Sequence, residues 1–295
     1  MEKNFLDPIV ISKLSRMDIR ARLIVEGFIS GLHKSPYHGF SVEFAEHRQY
    51  FPGDELKHID WKVFGRMDKF YVKEYEEETN LSCHILLDCS GSMEYTSEEI
   101  TKLEYSSYLA AALAYVLIRQ QDSVGLVTFD EKIRKIIPPK SSPVILKNIL
   151  RELEIIKPGG KTNIEEILHS LALRIKKRGL IILISDLFDN PENVLAGLKH
   201  FRHKKHEVIV FHIMDKNEYE LPFKKTILFK DIETGEEIIS EPETLKKEYK
   251  NMLNSFINKY KKECFENNID YYQINTKTSY DKVLFDYLSK RKKLM

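Results

Sequence analysis

The chain of 295 residues carries 46 Lys and Arg against 45 Asp and Glu, which gives a formal net charge of +1. Nucleic-acid-binding domains typically carry an excess of basic residues, so this balance predicts that the chain has no nucleic-acid partner. Because 42% of the residues are apolar and 11% aromatic, the composition excludes a disordered polypeptide and predicts a hydrophobic core.

The N-terminal sequence and the apolar runs predict a cytoplasmic protein. No basic start is followed by an apolar stretch, so we expect no signal peptide. The longest apolar run, Leu109 to Ile118, is shorter than the about 18 residues that indicate a membrane span. Three cysteines without a C-x-x-C spacing favour neither a disulfide framework nor a zinc site, as is typical of a reducing compartment.

The first 80 residues are predicted to be a small β-rich segment. Residues 16–34 have the weak apolar face of a short helix. Apolar side chains then alternate along residues 36–51, 59–63 and 70–75, with the period of two that is typical of strands. Since a segment of this size is too small to fold alone, we predict residues 1–80 as an N-terminal segment attached to a main domain of residues 81–295.

From residue 81 onward, apolar runs alternate with helical patterns. The predicted strands cover residues 83–88, 123–129, 179–185, 207–214 and 269–274. The predicted helices cover residues 102–120, 143–155, 164–178, 191–203, 242–266 and 280–289, with a hairpin over residues 226–239. This alternation predicts an α/β fold with a doubly wound, mostly parallel sheet and helices on both faces. Ligands bind to such sheets at the carboxyl ends of the strands.

Oxygen-bearing side chains lie in three loops that this fold brings to one edge of the sheet. The first loop is the D-x-S-x-S sequence after the strand at 83–88, the second precedes the helix at 164–178, and the third follows the strand at 179–185. Carboxylates and hydroxyls without sulfur or imidazole favour a hard cation. We therefore predict one site for Mg²⁺, or for Mn²⁺ or Ca²⁺, with the ligands Asp88, Ser90, Ser92, Thr162 and Asp186.

The choice of ligands has a chemical consequence. Neutral hydroxyls donate little charge to a cation, so the cation stays electrophilic and can take a carboxylate from another protein as its last ligand. Each residue also has a structural alternative, since Ser92 and Thr162 are common helix N-caps and Asp186 could cap the turn before Pro191. Asp189 is expected to be a loop or cap residue and not a ligand.

Enzyme motifs are absent. The sequence contains no P-loop, no G-x-G-x-x-G fingerprint and no G-x-S-x-G elbow, and it suggests no nucleophile or general base. We therefore predict no catalytic residues and no enzymatic activity. Two alternatives stay open at this point: a metal-dependent hydrolase of phosphate esters, and a structural subunit with a vestigial metal site.

The five predicted ligands resemble the metal-ion-dependent adhesion site of von Willebrand factor type A domains. Asp88, Ser90 and Ser92 match the first motif of that family, Thr162 the second and Asp186 the third. The resemblance covers about residues 81–275. It implies that the hydroxyls bind the metal directly, that the aspartates act through water, and that a partner protein supplies an Asp or Glu.

The preceding segment resembles the DUF58 family, in which an arm of this length precedes a type A domain. The matching pieces are Arg48-x-Tyr50-x-Pro52-Gly53-Asp54, Ile59-Asp60-Trp61 and Tyr71-Val72-Lys73-Glu74. Members of that family are often associated with MoxR-type AAA+ ATPases that act in protein maturation. The resemblance therefore implies a metal-dependent interaction module that works with such an ATPase. Many members carry membrane helices, which are not predicted in this chain.

Overall fold

The computed structural model describes residues 8–12, 16–33, 47–49, 71–73, 81–223, 225–232 and 235–292. The chain divides into two units, one of residues 1–34 together with 81–295 and one of residues 35–80. In the smaller unit, β1 (His47–Gln49) pairs antiparallel with β2 (Tyr71–Lys73). Each strand lies within one of the predicted strand patterns. The motif residues Tyr50 to Trp61 lie outside the described residues.

One six-stranded sheet forms the centre of the larger unit. Its strands are β3 (Ser82–Asp88), β4 (Ser123–Phe129), β5 (Ile133–Lys140), β6 (Leu180–Ser185), β7 (Glu207–Met214) and, after the hairpin strands β8 (Ile227–Lys230) and β9 (Glu237–Ser240), β10 (Asp270–Asn275). The order across the sheet is β10-β7-β6-β3-β4-β5. All neighbours are parallel except β4 and β5, which are antiparallel. The predicted α/β fold with a mostly parallel sheet is confirmed.

Helices cover both faces of this sheet. The described helices are α1 (Pro8–Ser12), α2 (Met17–His33), α3 (Lys102–Arg119), α4 (Pro143–Ile155), α5 (Ile164–Arg174), α6 (Pro191–His203), α7 (Lys216–Glu220), α8 (Pro242–Glu266) and α9 (Tyr280–Lys292). Helices α5, α6 and α8 share a core with strand residues such as Leu86, Leu183 and Val210. Helix α3 packs on β3 and β4 and contacts α2 and α4. Strands that are covered on both faces are almost entirely apolar, as β6 (LIILIS) is.

The N-terminal helix α2 belongs to the larger unit. Its side chains Ala21, Ile24 and Val25 are buried, and Arg20 donates a hydrogen bond from Nη1 to the Tyr108 hydroxyl of α3 over 2.6 Å. The apolar face of α2 therefore packs against α3. The structure thus places residues 1–34 with residues 81–295, whereas the sequence predicted one segment of residues 1–80.

Two further differences concern element ends and edges. The helix predicted over residues 164–178 ends at Arg174, because Ile175 has an extended backbone conformation. The edge strand β5 (IRKIIPPK) was not predicted, because its charges and two prolines are untypical of a strand and are tolerated at a sheet edge. The hairpin predicted over residues 226–239 is present as β8 and β9. Within the described ranges, no helix is both long and apolar enough to cross a membrane.

The strand order places a topological switch point between β3 and β6. The chain leaves β3 toward β4 and β5 on one side, and then returns to β6 and β7 on the other side. The loops that follow β3 and β6 therefore diverge at the carboxyl edge of the sheet, which is where ligands bind in folds of this kind. Asp88 is the last residue of β3, and Asp186 directly follows β6.

Candidate metal centre

The carboxylate of Asp88 joins the two strands at the switch point. Asp88 is fully buried; its Oδ1 accepts a hydrogen bond from the Ser90 amide over 2.9 Å, and its Oδ2 accepts one from Ser185 Oγ over 2.7 Å. Ser185 is the last residue of β6. Since both carboxylate oxygens already accept a hydrogen bond from the protein, Asp88 is well arranged to hold a metal-bound water.

The two hydroxyls of the first motif lie side by side. Ser90 Oγ and Ser92 Oγ are 3.2 Å apart, in the loop that runs from β3 into a short 3₁₀ helix of residues Gly91–Glu94. In octahedral Mg²⁺ sites with metal–oxygen distances of about 2.0–2.1 Å, neighbouring ligand oxygens are about 3 Å apart. The separation therefore fits two ligands of one cation. The next helix, α3, is capped by Thr101, so Ser92 is not its N-cap.

The glycine-rich loop that carries Thr162 is hydrogen-bonded to the first motif in both directions. The Gly159 amide donates to the Cys89 carbonyl over 3.0 Å, and the Gly91 amide donates to the Gly160 carbonyl over 2.9 Å. These two bonds hold the glycine-rich loop against the serine loop, and half-buried Thr162 follows Gly160 by two residues. Gly160 has a φ of +75°, and a Cβ there would come within 2.6 Å of Asp130 Oδ2, so this position requires glycine.

Arg134, on β5, holds the same loop from outside. Its Nε donates to Asp130 Oδ2 over 2.6 Å, and its Nη2 donates to the Gly159 carbonyl over 2.6 Å. Its Nη1 donates to the Lys157 carbonyl over 2.5 Å. Sequence reasoning missed Arg134, because the strand that carries it was not predicted and its partners are backbone carbonyls of a distant loop.

The capping roles belong to neighbours of the predicted ligands. Asn163, and not Thr162, is the N-cap residue of α5, where it accepts a hydrogen bond from the Glu166 amide over 3.4 Å. Asp189 Oδ2 accepts one from the Ile164 amide over 2.9 Å, which joins the loop after β6 to the first turn of α5. Asp189 is thus a cap residue, as predicted. Helix α6 is capped by Asn190. Asp186 accepts a hydrogen bond within the turn before Pro191, from the Phe188 amide, as the structural alternative predicted.

Asp186 is fully buried and paired with an internal lysine. Its Oδ2 lies 2.7 Å from Lys102 Nζ, and its Oδ1 accepts a hydrogen bond from the Phe188 amide over 3.3 Å. Lys102 Nζ also lies 2.6 Å from Glu218 Oε1. Neither Lys102 nor Glu218 was predicted as a site residue, because a lysine in the first turn of a helix and a glutamate in a short polar helix are usually solvated.

The charges at this edge of the sheet are out of balance. Burial, together with the nearby Asp186 carboxylate, raises the pKa of Asp88 from 3.8 to about 7. Burial alone would lower the pKa of Lys102, but the carboxylates of Asp186 and Glu218 outweigh it and raise that pKa above its ordinary value. Lys102 is paired with Asp186 and Glu218, and Asp88 lies near Asp186, so these four groups carry a net charge of −2 when all are ionised, which a divalent cation would neutralise.

The oxygen donors fit a hard cation and no other kind of metal. In the part of the chain that the structure describes, no group of three or more His, Cys, Asp or Glu is arranged to hold a metal. A cation here would depend on serine and threonine hydroxyls, with the two aspartates as neighbours. The structure thus brings the first-motif residues together, places Asp186 beside Asp88, and fastens the Thr162 loop to them.

Comparisons of the sequence with known proteins find a family model and relatives that match most of the chain. The family model described as "Protein of unknown function DUF58" matches residues 46–255. The uncharacterized protein Rv1480 of Mycobacterium tuberculosis is 23% identical over 232 residues, which span 78% of this chain and 73% of that protein.

Comparison with solved structures finds chains that are similar to this one in three dimensions. The conserved hypothetical protein BatB from Bacteroides thetaiotaomicron superposes with a TM-score of 0.50 at 19% identity, over 72% of this chain and 99% of that chain. The SpRpn10 VWA domain is similar over 70% of this chain and 95% of its own length, with 13% identity and a TM-score of 0.44. The superposition on BatB shows that the two chains share a fold.

Proposed function

The chain belongs to the DUF58 family, and from this membership and the geometry of the site we propose that it is a non-enzymatic protein-interaction module. In this proposal, a divalent cation, most simply Mg²⁺, captures an Asp or Glu of a partner protein. The observation that carries the proposal is the meeting of the serine loop, the Thr162 loop and Asp186 at the switch point, with Ser90 Oγ and Ser92 Oγ 3.2 Å apart.

The residues divide into two roles. The hydroxyls of Ser90, Ser92 and Thr162 would hold the cation directly. As the resemblance to type A domains implies, Asp88 and Asp186 would accept hydrogen bonds from its water ligands, while each of their oxygens also accepts one from the protein. When bound, the cation supplies a positive centre that attracts a carboxylate.

The surroundings of the site suit a protein partner. Ser92 and Thr162 are half-buried, so one side of each faces outward, and Lys161 beside them is exposed. Phe188, two residues after Asp186, leaves 40% of its surface exposed at the rim. An exposed aromatic ring and a lysine next to the cation favour a partner segment in which an acidic residue has an apolar neighbour.

The chemistry of the nearby histidines supports binding and not hydrolysis. His212 pairs in register with Ser185 but is buried, with its Nδ1 hydrogen-bonded to the Tyr271 hydroxyl over 2.5 Å. Burial lowers the pKa of His212 to about 4, and that of His84 on β3 also to about 4. Neither ring reaches the surface of the site, so neither is placed as a general base for a phosphate-ester hydrolase.

The family and the cysteines support a proposal for the partner and the compartment. Since DUF58 proteins are often associated with MoxR-type AAA+ ATPases, we propose that the chain works with such an ATPase in protein maturation. The three cysteines are free and buried, which suits the cytoplasm.

Calorimetry with Mg²⁺ and Mn²⁺ tests the metal site. Wild type should bind one equivalent, Asp88→Ala and Ser90→Ala/Ser92→Ala should lose binding, and Ser255→Ala, at an exposed serine of α8, should bind as wild type. Failure of wild type to bind either metal, or equal binding by Asp88→Ala, contradicts the proposal.

An affinity pull-down with and without EDTA tests the interaction. Partners should be captured by wild type and Ser255→Ala only without EDTA, and not by Ser90→Ala/Ser92→Ala. Capture by the double variant would instead favour a structural subunit with a vestigial site. Phosphate-ester hydrolysis that disappears in Asp88→Ala would favour the enzyme.

A further inference from the structure

Lys102 is buried beside the candidate metal centre, where a second cation is unexpected. It lies in the first turn of α3, yet none of its side-chain surface is exposed. Its Nζ is 2.7 Å from Asp186 Oδ2 and 2.6 Å from Glu218 Oε1. A buried ammonium is stable only when it is paired with carboxylates, so the contacts with Asp186 and Glu218 keep a positive charge at this position.

The surroundings hold Lys102 in one position. Its Nζ lies 5.0 Å from the centre of the Phe188 ring and 5.8 Å from that of the Tyr95 ring, and aromatic faces attract cations at these distances. Glu218 is itself fixed, since its Oε2 accepts a hydrogen bond from the Asp215 amide over 2.7 Å and its backbone carbonyl accepts one from the Tyr249 hydroxyl over 2.6 Å. The ammonium is therefore a rigid part of the site.

This arrangement constrains what Asp186 can do. Lys102 occupies one carboxylate oxygen of Asp186, and the Phe188 amide occupies the other. Lys102 also neutralises part of the negative charge of this carboxylate, so Asp186 attracts a cation less strongly while Lys102 is in place. The positive charge of Lys102 also opposes the entry of any further cation into the cluster of Asp88, Asp186 and Glu218.

We propose that Lys102, held by Glu218, is a positioning residue that holds the Asp186 carboxylate, neutralises part of its charge and thereby limits the metal affinity of the site. This inference rests on the proposed function and deepens it. A cation that Asp186 attracts less strongly keeps more of its charge for the carboxylate of a partner. Lys102 thus lowers the affinity of the site for the metal and raises the affinity of the bound metal for a partner carboxylate.

Binding of Mn²⁺ alone, measured by calorimetry, tests the inference through effects of opposite sign. Lys102→Met removes the opposing charge and frees Asp186, so it should bind Mn²⁺ about tenfold more tightly than wild type. Glu218→Gln removes one negative charge while keeping the side chain's size, so it should bind about tenfold more weakly. Lys199→Met, which breaks the ion pair with Glu263 on the outside of α6, should bind as wild type.

Thermal unfolding separates this role from a structural one. In EDTA, Lys102→Met should unfold at a lower temperature than wild type, and Mn²⁺ should raise its unfolding temperature by more than it raises that of wild type. A purely structural lysine would instead lower stability and weaken metal binding together. If Lys102→Met does not fold, the affinity of Glu218→Gln decides, and unchanged or tighter binding by that variant overturns the inference.

The outcomes distinguish this inference from the proposed function. Binding by wild type with unchanged or weaker binding by Lys102→Met overturns the role of Lys102 and leaves the proposed function standing. Binding by Lys102→Met alone supports the role of Lys102, and shows that the lysine excludes the metal from the wild-type site, which overturns the proposed function. Binding by none of the proteins overturns both.

Discussion

The carboxylate of Asp88 lies in surroundings that oppose its own ionisation. Burial and the nearby Asp186 raise its pKa to about 7, against 3.8 in the unfolded chain. The folded protein therefore holds this proton more tightly than the unfolded chain does. The stability that this provides is complete below about pH 4 and is lost as the pH rises through about 7.

We expect the metal-free protein to become less stable between pH 5 and pH 8, and Mg²⁺ to bind more tightly as the pH rises, because bound metal displaces the proton. Unfolding temperatures in EDTA measure the first effect and calorimetry the second. Asp88→Asn, which keeps the shape of the side chain but does not titrate, should lose most of this pH dependence in EDTA. A variant profile as steep as that of wild type would show that other groups cause it.

Two glycines allow a matched test of the loop that carries Thr162. Gly160 and Gly235 have φ of +75° and +74°, but a Cβ at Gly160 meets Asp130 at 2.6 Å, whereas one at Gly235 meets nothing within 4 Å. Both alanine variants should lose about 1 kcal/mol of stability from backbone strain. Only Gly160→Ala should lose more than this in denaturant unfolding and also weaken Mg²⁺ binding. Equal losses in the two variants would mean that the contact with Asp130 does not matter.

The sequence predicted the oxygen-bearing residues but not the groups that hold them. Asp88, Ser90 and Ser92 are close together in the chain, so their spacing alone indicates a site. Lys102 and Arg134 act on loops 84 and 25 residues away, at Asp186 and Gly159. Such contacts arise only when the sheet is assembled, and no local pattern reveals them.

At the scale of elements, β5 was the strand that the sequence did not predict, and its position explains its composition. It pairs only with β4, at the edge of the sheet, so prolines and charges are tolerated along it. The parallel strands β3, β6 and β7 were predicted correctly, because burial on both faces leaves them almost entirely apolar. The hydrophobic pattern of a strand buried on both faces can be recognised in the sequence, whereas the position of a strand at the edge of the sheet cannot.

Arg134 gives β5 a role in the site, and this can be tested. Arg134→Met removes three hydrogen bonds to Asp130 and the loop at Lys157 and Gly159. Because the side chain is partly exposed, we expect a loss of about 1 kcal/mol of stability.

The larger effect should be faster hydrogen exchange in residues 157–163 and weaker Mg²⁺ binding, since the loop is then held by fewer bonds. Arg151→Met, at an exposed arginine of α4, should change neither. Unaltered exchange in the Arg134 variant would show that the two backbone bonds to the serine loop are sufficient.

At the scale of the whole molecule, the larger unit is discontinuous in sequence. Residues 1–34 and 81–295 belong to one unit, although residues 35–80, which form the other unit, separate them in the sequence. The sequence pattern identified the helix at 16–34 but did not show where it packs, because a weak apolar face does not identify its partner. The burial of Ile24 and Val25 shows that α2 is part of the core of this unit.

Adjacent residues of α2 test this arrangement. Ile24 is fully buried, whereas Leu23 is 42% exposed. Ile24→Ala should cost about 2–4 kcal/mol in denaturant unfolding, because it leaves a cavity in the core. Leu23→Ala should cost less than about 1 kcal/mol. Similar small costs at both positions would show that α2 contributes little to the stability of the larger unit.

The thiol of Cys89, whose backbone carbonyl accepts the hydrogen bond from Gly159, can report chemically on the site. Cys89 lies between Asp88 and Ser90, fully buried, and burial raises the pKa of its thiol far above the ordinary value. A protonated, enclosed thiol does not react with alkylating reagents. Modification of Cys89 therefore requires the structure around the serine loop to open. The rate of alkylation at this one sulfur, followed by mass spectrometry, measures how often this opening occurs and how strongly a bound cation or partner suppresses it.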